Sequence, residues 1–439
     1  MIDYRGEPRA LSEYIDMENY IIATYYTAWP SDWDMDYMSP ALAIEQSTGT
    51  FEPMPGETPD LRRNHLAKVI GLFEVPYYEG EVDPDVVERQ YIIQVAFPAV
   101  NIENQLPMLM TSCVGNISLA KKLKLLDLRM PKSILDGYQG PKFGIEGIYD
   151  LLGIELGSRP LLNNMIKPCT GYSVDVGAEL FYQAALGGAD VIKDDELIGD
   201  MEFNRCVDRV KAYMEKERQV YEETGERTLY AVNVTDRLPK MFETAKRVID
   251  AGGNCLMVNY ISVGPEAMRA FAEDPDINVP ILAHQDVAGA YFMSPYNGVS
   301  SPIMMGKIPR LAGADIIAYP FAMGGKATYM KERYNACTRN LTYPFGKLKP
   351  TMPMPGGGLT PNNVPELIAA HGIDFIIGAG GGIHGHPQGP TAGARAFRYA
   401  IDAVLNGITI EGYADEHEEL AVALKKWPKI THFKTDFNE

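Results

Sequence analysis

The stretch ADVIKDDELIGD, residues 189–200, begins as an apolar β-strand and then sets Lys193 against Asp194, Asp195 and Glu196. A solvated strand end would account for such a run of charge, so its meaning depends on what repeats around it. From about residue 160 onward, short apolar runs alternate with amphipathic stretches. The runs are NNMIK (163–167), ADVIKD (189–194), LYAVNV (229–234), CLMVNY (255–260), VPILAH (279–284), ADIIAYP (314–320), TMPMP (351–355) and DFIIGAG (374–380). Between them lie helix-like segments such as VDVGAELFYQAALGG and DRLPKMFETAKRVIDAGG, the latter stopping on Gly252 and Gly253, as helices often do. Eight strands, each followed by a helix, predict an α/β fold of the (β/α)8 TIM-barrel type. A doubly wound sheet is the alternative, but no switch in the strand order is visible.

Residues 1–145 read differently, with strands in YIIATYYTA, HLAKVIGLFEVPYY and YIIQVAFPA and an intervening helix. They predict an N-terminal α+β (ferredoxin-like) domain. The barrel is expected over 146–407, and a C-terminal helical tail containing DEHEELAVALKKW over 408–439.

At 439 residues the chain exceeds what one hydrophobic core usually supports. Acids outnumber bases 58 to 40, a net charge of −18, which repels phosphate backbones and argues against nucleic acid or an anionic membrane as partner. The five cysteines lack CxxC spacing, so neither a zinc site nor a disulfide framework is expected. With no apolar leader in MIDYRGEPRA and no uncharged run of 18 residues, the reading is a cytoplasmic protein.

Barrels of this kind gather their chemistry at the C-terminal strand ends. Here those ends carry Lys167, then Lys193-Asp194-Asp195-Glu196, Asn233, Asn259, His284-Gln285-Asp286, and two glycine runs, Gly356–Gly358 and Gly380–Gly382. Core packing requires none of them. Asp195 and Glu196 are hard oxygen ligands suited to Mg²⁺. An ammonium beside such an ion is repelled, but CO2 added to the neutral amine of Lys193 would give a carbamate oxygen ligand. The residues permit this without requiring it. Bare backbone N–H groups in the glycine runs suit phosphate, and a flexible loop is the plainer reading. GGGIHG (380–385) fits GxGxxG but falls at the last strand instead of the first, so a nicotinamide site is disfavoured. His384 and His386 are candidate ligands, though a His-x-His in a glycine loop is more often structural.

These residues resemble the large subunit of ribulose-bisphosphate carboxylase (RuBisCO), and more closely the non-carboxylating RuBisCO-like proteins (form IV). The resemblance runs from IEQSTGT (44–50) through SCVGN, GPKFGIEG, IKPCTG, GGADVIKDDE and AHQD to GAGGGIHGHPQGPTAG. It implies one Mg²⁺ per site, held by Asp195, Glu196 and a CO2-derived carbamate on Lys193. It implies Lys167 as the proton-transferring lysine, His284 beside the substrate, and Gly357, Gly358, Gly380 and Gly381 as one phosphate site. It further implies that Glu45 and Asn116 are supplied by a neighbouring subunit, in a homodimer or a higher oligomer of dimers.

The departures narrow the activity. The carboxylases carry KPKxG after strand 1, where this chain has Cys169, and an arginine after the strand-5 histidine, where it has Gln285. Their strand-6 histidine falls near Ile317, and Lys326 in AMGGKATYM is the candidate for the lysine that assists carboxylation. Gln cannot imitate a bidentate arginine–phosphate clamp. The expected activity is therefore Mg²⁺-dependent enolisation, proton abstraction beside a metal-bound carbonyl, on a keto-sugar phosphate or related ketose-type substrate. RuBisCO-like enolases, isomerases and decarboxylases work in this way. A true ribulose-1,5-bisphosphate carboxylase and a catalytically silent metal-binding or regulatory protein are the alternatives.

Overall fold

The structure is a computed structural model, and it describes residues 6–49, 54–321 and 331–428. Lys326 lies outside the described residues. The chain divides into two compact units. The first comprises Met1–Gly140 with Val287–Ala312 and Tyr343–Leu348, and the second comprises Pro141–Asp286, Gly313–Thr342 and Lys349–Glu439. Among the described residues no helix is long and apolar enough to cross a membrane, and all five cysteines are free.

The first unit is built on a mixed sheet of β1 (Tyr20–Pro30), β2 (Lys68–Glu74), β3 (Glu88–Pro98) and β4 (Leu123–Arg129), in the order β4-β1-β3-β2. Each neighbouring pair among these four is antiparallel. A two-residue strand, Gly298–Val299, adds to β4 in parallel. Three of the strands match the sequence expectation. The fourth, LKLLDLR, and the late segment that joins the sheet were not anticipated. The Tyr25 hydroxyl donates to Cys113 O at 2.7 Å, fixing the end of the helix Leu106–Cys113 against β1.

In the second unit all eight expected strands form and close into one parallel barrel. They are β5 (Leu161–Met165), β6 (Val191–Lys193), β7 (Leu229–Asn233), β8 (Cys255–Asn259), β9 (Ile281–His284), β10 (Ile316–Pro320), β11 (Met352–Gly356) and β12 (Ile376–Ala379). Leu161, Val191, Leu229, Ile316, Met352 and Ile376 form one apolar cluster with Ile145, Ile148, Tyr149 and Leu152 of the helix Gly144–Leu152. That helix therefore plugs the end where the strands begin and leaves the other end open to chemistry.

The plug is tied down by a buried acid. Asp315 accepts from the backbone N–H groups of Phe143 at 2.7 Å, Gly144 at 2.9 Å and Ile281 at 3.0 Å. Burial outweighs these bonds and pushes its carboxyl up to about 6. An unfolded aspartate releases its proton near pH 4. Between those two values the folded chain holds more protons at this group than the unfolded one, so the contribution of Asp315 to stability is greatest below pH 4 and is lost as pH rises through 6. The expected loss is about 3 kcal/mol, at 1.36 kcal/mol per pKa unit. Asp315→Asn should remove this contribution, so the change in the free energy of urea unfolding between pH 4 and 7 should differ from that of the wild type by about 3 kcal/mol in the direction of less decline. An unaltered slope in the variant would assign the effect to other groups.

Candidate active site

Strand alternation decides which charged residues after β6 face the barrel axis. Val191 belongs to the inward cluster, so Lys193 and Asp195 share its parity and Asp194 does not. Asp194 instead turns outward and is fully buried. It accepts from Arg209 Nη2 at 2.9 Å, the Tyr230 hydroxyl at 2.7 Å and Asn233 N at 2.9 Å. Asp190, earlier in the same motif, is likewise outward, with a bidentate contact from Arg159 at 2.6 and 2.8 Å. Two of the motif's acids thus hold structure and two face the mouth.

Lys193 has no exposed surface. Its Nζ donates to Asp194 O at 2.8 Å and to Glu196 Oε2 at 3.2 Å. Burial lowers its pKa, against the attraction of Glu196 and Asp195 and with the repulsion of Lys167. Lys167, just past the end of β5, is half-buried and donates to Asp195 Oδ2 at 2.5 Å and to Cys169 Sγ at 3.1 Å. Burial works to lower the pKa of Lys167, but the bonds to Asp195 and Cys169 outweigh it and the net shift is upward. The chain's own groups therefore act on Lys167 in the direction opposite to a neighbouring cation.

Glu196 Oε2 also lies 3.3 Å from His284 Nε2. Burial opposes the charge on Glu196, yet His284 and Lys193 hold its carboxyl well below the usual range. Burial, then the charge of Lys193, pushes the His284 imidazole well below its ordinary value. The His284 Nδ1 is buried with no partner among the described residues. The backbone carbonyl of Glu196 accepts from Asn233 Nδ2 and Asn259 Nδ2, both at 3.2 Å. These asparagines stand at strand ends in the sequence, but nothing there signals that both hold this carbonyl. Ile317 is fully buried and has the outward parity. The inward residue paired with His284 is Ala318.

The two glycine loops lie side by side because β11 and β12 pair at Gly356 and Gly378. A Cβ on Gly378 would come within 2.9 Å of Pro355 O, so only glycine allows the contact. Gly357, Gly358 and Gly381 are exposed, and Gly380 is buried. A Cβ on Gly380 would sit 3.3 Å from Lys167 Cε, so this loop adjoins the lysine. His386 is structural, its Nε2 2.9 Å from Glu419 O and its Nδ1 accepting from Gln388 N. His384 differs. Burial, then the charge of Lys167, lowers its imidazole to about 4, and its Nε2 is buried without a partner among the described residues.

Glu45 and Asn116 lie together in the other unit, lining a cavity of about 570 Å³ with Gln46, His65, Asn101 and Thr111. Glu45 ends the helix Met35–Glu45, and Asn116 starts a single 3₁₀ turn. The Gln46 amide links them when its nitrogen donates to Thr111 O at 3.1 Å and its oxygen accepts from Asn116 N at 3.1 Å and Ile117 N at 3.2 Å. Both Glu45 and Asn116 are exposed.

Among the described residues no group of three or more His, Cys, Asp or Glu side chains is arranged to hold a metal. Asp195 and Glu196 could supply two oxygen ligands, so a hard ion at the barrel mouth would draw a further oxygen from another group.

The family model for the ribulose bisphosphate carboxylase large chain, catalytic domain, matches residues 144–427, and that for its N-terminal domain matches 11–134. The chain is 54% identical to a ribulose bisphosphate carboxylase-like protein of Archaeoglobus fulgidus, over 96% of each chain. It is 36% identical to a 2,3-diketo-5-methylthiopentyl-1-phosphate enolase of Bacillus licheniformis, over 93% of this chain and 98% of that one. A rubisco-like protein (MtnW) from Alicyclobacillus acidocaldarius superposes with a TM-score of 0.86 at 34% identity, covering 93% of this chain and 100% of that one. The octameric Rubisco of Pyrococcus horikoshii superposes with a TM-score of 0.85 at 31% identity, covering 97% and 99%. With both domains matched and the barrel and mixed sheet in place, the chain belongs to the ribulose bisphosphate carboxylase large-chain family, alongside its RuBisCO-like members.

Proposed function

We propose that this protein is a RuBisCO-like enolase that abstracts a proton beside the carbonyl of a keto-sugar phosphate or related ketose-type substrate, with Mg²⁺ as cofactor. The observation that carries the reading is a fully desolvated lysine, Lys193, set between Asp194 O and Glu196 with Lys167 close by on Asp195. The donor set fits the cation. Asp195 and Glu196 now face two ammonium groups, Lys167 and Lys193. Carbamylation of Lys193 would turn one of these cations into an anion and leave an excess of two negative charges for a divalent ion to neutralise. Burial shifts the Lys193 pKa downward, the direction that brings the neutral amine such a step needs within easier reach. When bound, Mg²⁺ supplies Lewis-acid polarisation of the substrate carbonyl.

The chain's own residues do the rest. Lys167, half-buried at the mouth and held by Asp195 and Cys169, moves the proton. His284 presents its unpartnered Nδ1 as a hydrogen-bonding group for the substrate. The paired glycine loops at Gly357–Gly358 and Gly380–Gly381 bind one phosphate through backbone N–H groups. Glu45 and Asn116 come from a second copy, and the octameric state of the Pyrococcus protein supports a homo-oligomer. The enolase named among the relatives and the absence of an arginine at Gln285 both favour enolisation over carboxylation.

The test is proton exchange in D2O. Candidate keto-sugar monophosphates, incubated with the protein, Mg²⁺ and bicarbonate, should take up deuterium next to the carbonyl. Ribulose bisphosphate with labelled CO2 should yield no labelled phosphoglycerate, because losing the arginine clamp forfeits charge-assisted bonds of about 1.5–3 kcal/mol each. Label in phosphoglycerate, without exchange on any monophosphate, would replace this reading with a carboxylase.

A further inference from the structure

The acid that the barrel turns away from the mouth sits in a network that reaches back to it. Arg209, on the helix Cys206–Thr224, has no exposed surface. Besides Asp194 it donates to the Tyr230 hydroxyl at 3.1 Å, to Asn204 O at 2.7 Å and to Gly199 O at 3.3 Å. It therefore joins the end of β6, the loop that follows the acidic cluster, and β7. Asp194 accepts from Asn233 N at 2.9 Å, and the same asparagine's Nδ2 holds the carbonyl of Glu196 at 3.2 Å. An unbroken chain of hydrogen bonds thus runs from Arg209 through Asp194 and Asn233 to Glu196. The backbone of Asp194 is also the acceptor for Lys193 Nζ.

We propose that Arg209, Asp194 and Tyr230 are positioning residues for the metal site. They lock Asp194 outward, and the alternation of the strand then fixes Lys193 and Asp195 inward with Glu196 turned across the mouth. A solvated acid at this position would leave the four residues free to slip or twist. A buried, threefold-bonded one allows a single arrangement. The inference rests on the proposed carbamate and Mg²⁺ site, and outer partners of metal ligands typically contribute about ten- to hundredfold in metal affinity.

The experiment follows the ¹³C carbamate signal of the full-length protein with ¹³C-bicarbonate as Mg²⁺ is titrated. Thermal unfolding is recorded on the same samples. Tyr230→Phe removes one donor to Asp194 and keeps the ring and the ion pair. It should raise the Mg²⁺ concentration for half-maximal carbamate by about tenfold. The double variant Arg209→Met with Asp194→Asn removes the pair without leaving a lone buried charge, and it should raise it further. Asp315→Ala, which strips three backbone donors of their acceptor at the opposite end of the barrel, should lower the unfolding temperature and leave the Mg²⁺ midpoint in place. If the double variant does not fold, Tyr230→Phe decides alone. A wild-type signal that Tyr230→Phe keeps at the same Mg²⁺ midpoint overturns this inference and leaves the proposed function standing. A wild type with no carbamate signal overturns the proposed site and this inference with it.

Discussion

Lys193→Ala is expected to lower Mg²⁺-dependent proton exchange by about three orders of magnitude while the chain still folds. The size follows from the role. Without the amine there is no carbamate, the site keeps two carboxylates, and several kcal/mol of charge stabilisation are lost, at tenfold in rate for each 1.36 kcal/mol. The fold survives because two effects oppose each other. The alkyl stem gives up packing, but a buried amine that resists its charge no longer has to be desolvated. Glu196 loses one contact and remains 29% exposed, so water can serve it. Deuterium incorporation and thermal unfolding measured on the same preparation provide the check. Exchange at the wild-type rate in a folded Lys193→Ala protein would rule out the carbamate mechanism, whatever substrate is used.

The second large effect is a recovery. Glu45→Gln and Lys193→Ala should each be inactive as pure proteins, and a mixture refolded together should regain activity. If one copy supplies Glu45 and Asn116 to the barrel of the other, a mixed dimer holds one site with both lesions and one with neither. Random pairing then restores about a quarter of wild-type sites. Glu45 is suited to this test because it is exposed at the end of its helix, so replacing it disturbs no core. If the mixture stays at the level of the separate variants, or if wild-type activity persists in a sedimenting monomer, each copy builds its site alone.

The eight strands were legible because each is a short apolar run between amphipathic stretches, a local pattern that closure of the barrel did not alter. The polar strand ends were legible for the same reason, since core packing supplies no cause for Lys167, Lys193 or His284 at those places. Less could be read in the first unit. β4 is short and carries charge at Lys124, Asp127 and Arg129, which hides its alternation. Its last neighbour, Gly298–Val299, comes from far along the chain, and no local signal marks so remote a pairing.

The sequence by itself determined the fold class, the order of the strands and the kinds of group available at their ends. The resemblance singled out Lys193, Asp195 and Glu196, but strand period alone could not say which of the consecutive residues from Lys193 to Glu196 point inward, because a period of two allows either face to be the inner one. Tertiary structure made that choice. Val191 packs inward with the plug helix, and Arg209 and Tyr230, 15 and 36 residues away, take Asp194 to the outside. The same holds for the two asparagines on the Glu196 carbonyl, one of them 63 residues distant. Such contacts depend on closing the barrel, which brings together residues whose separation along the chain carries no trace of their meeting.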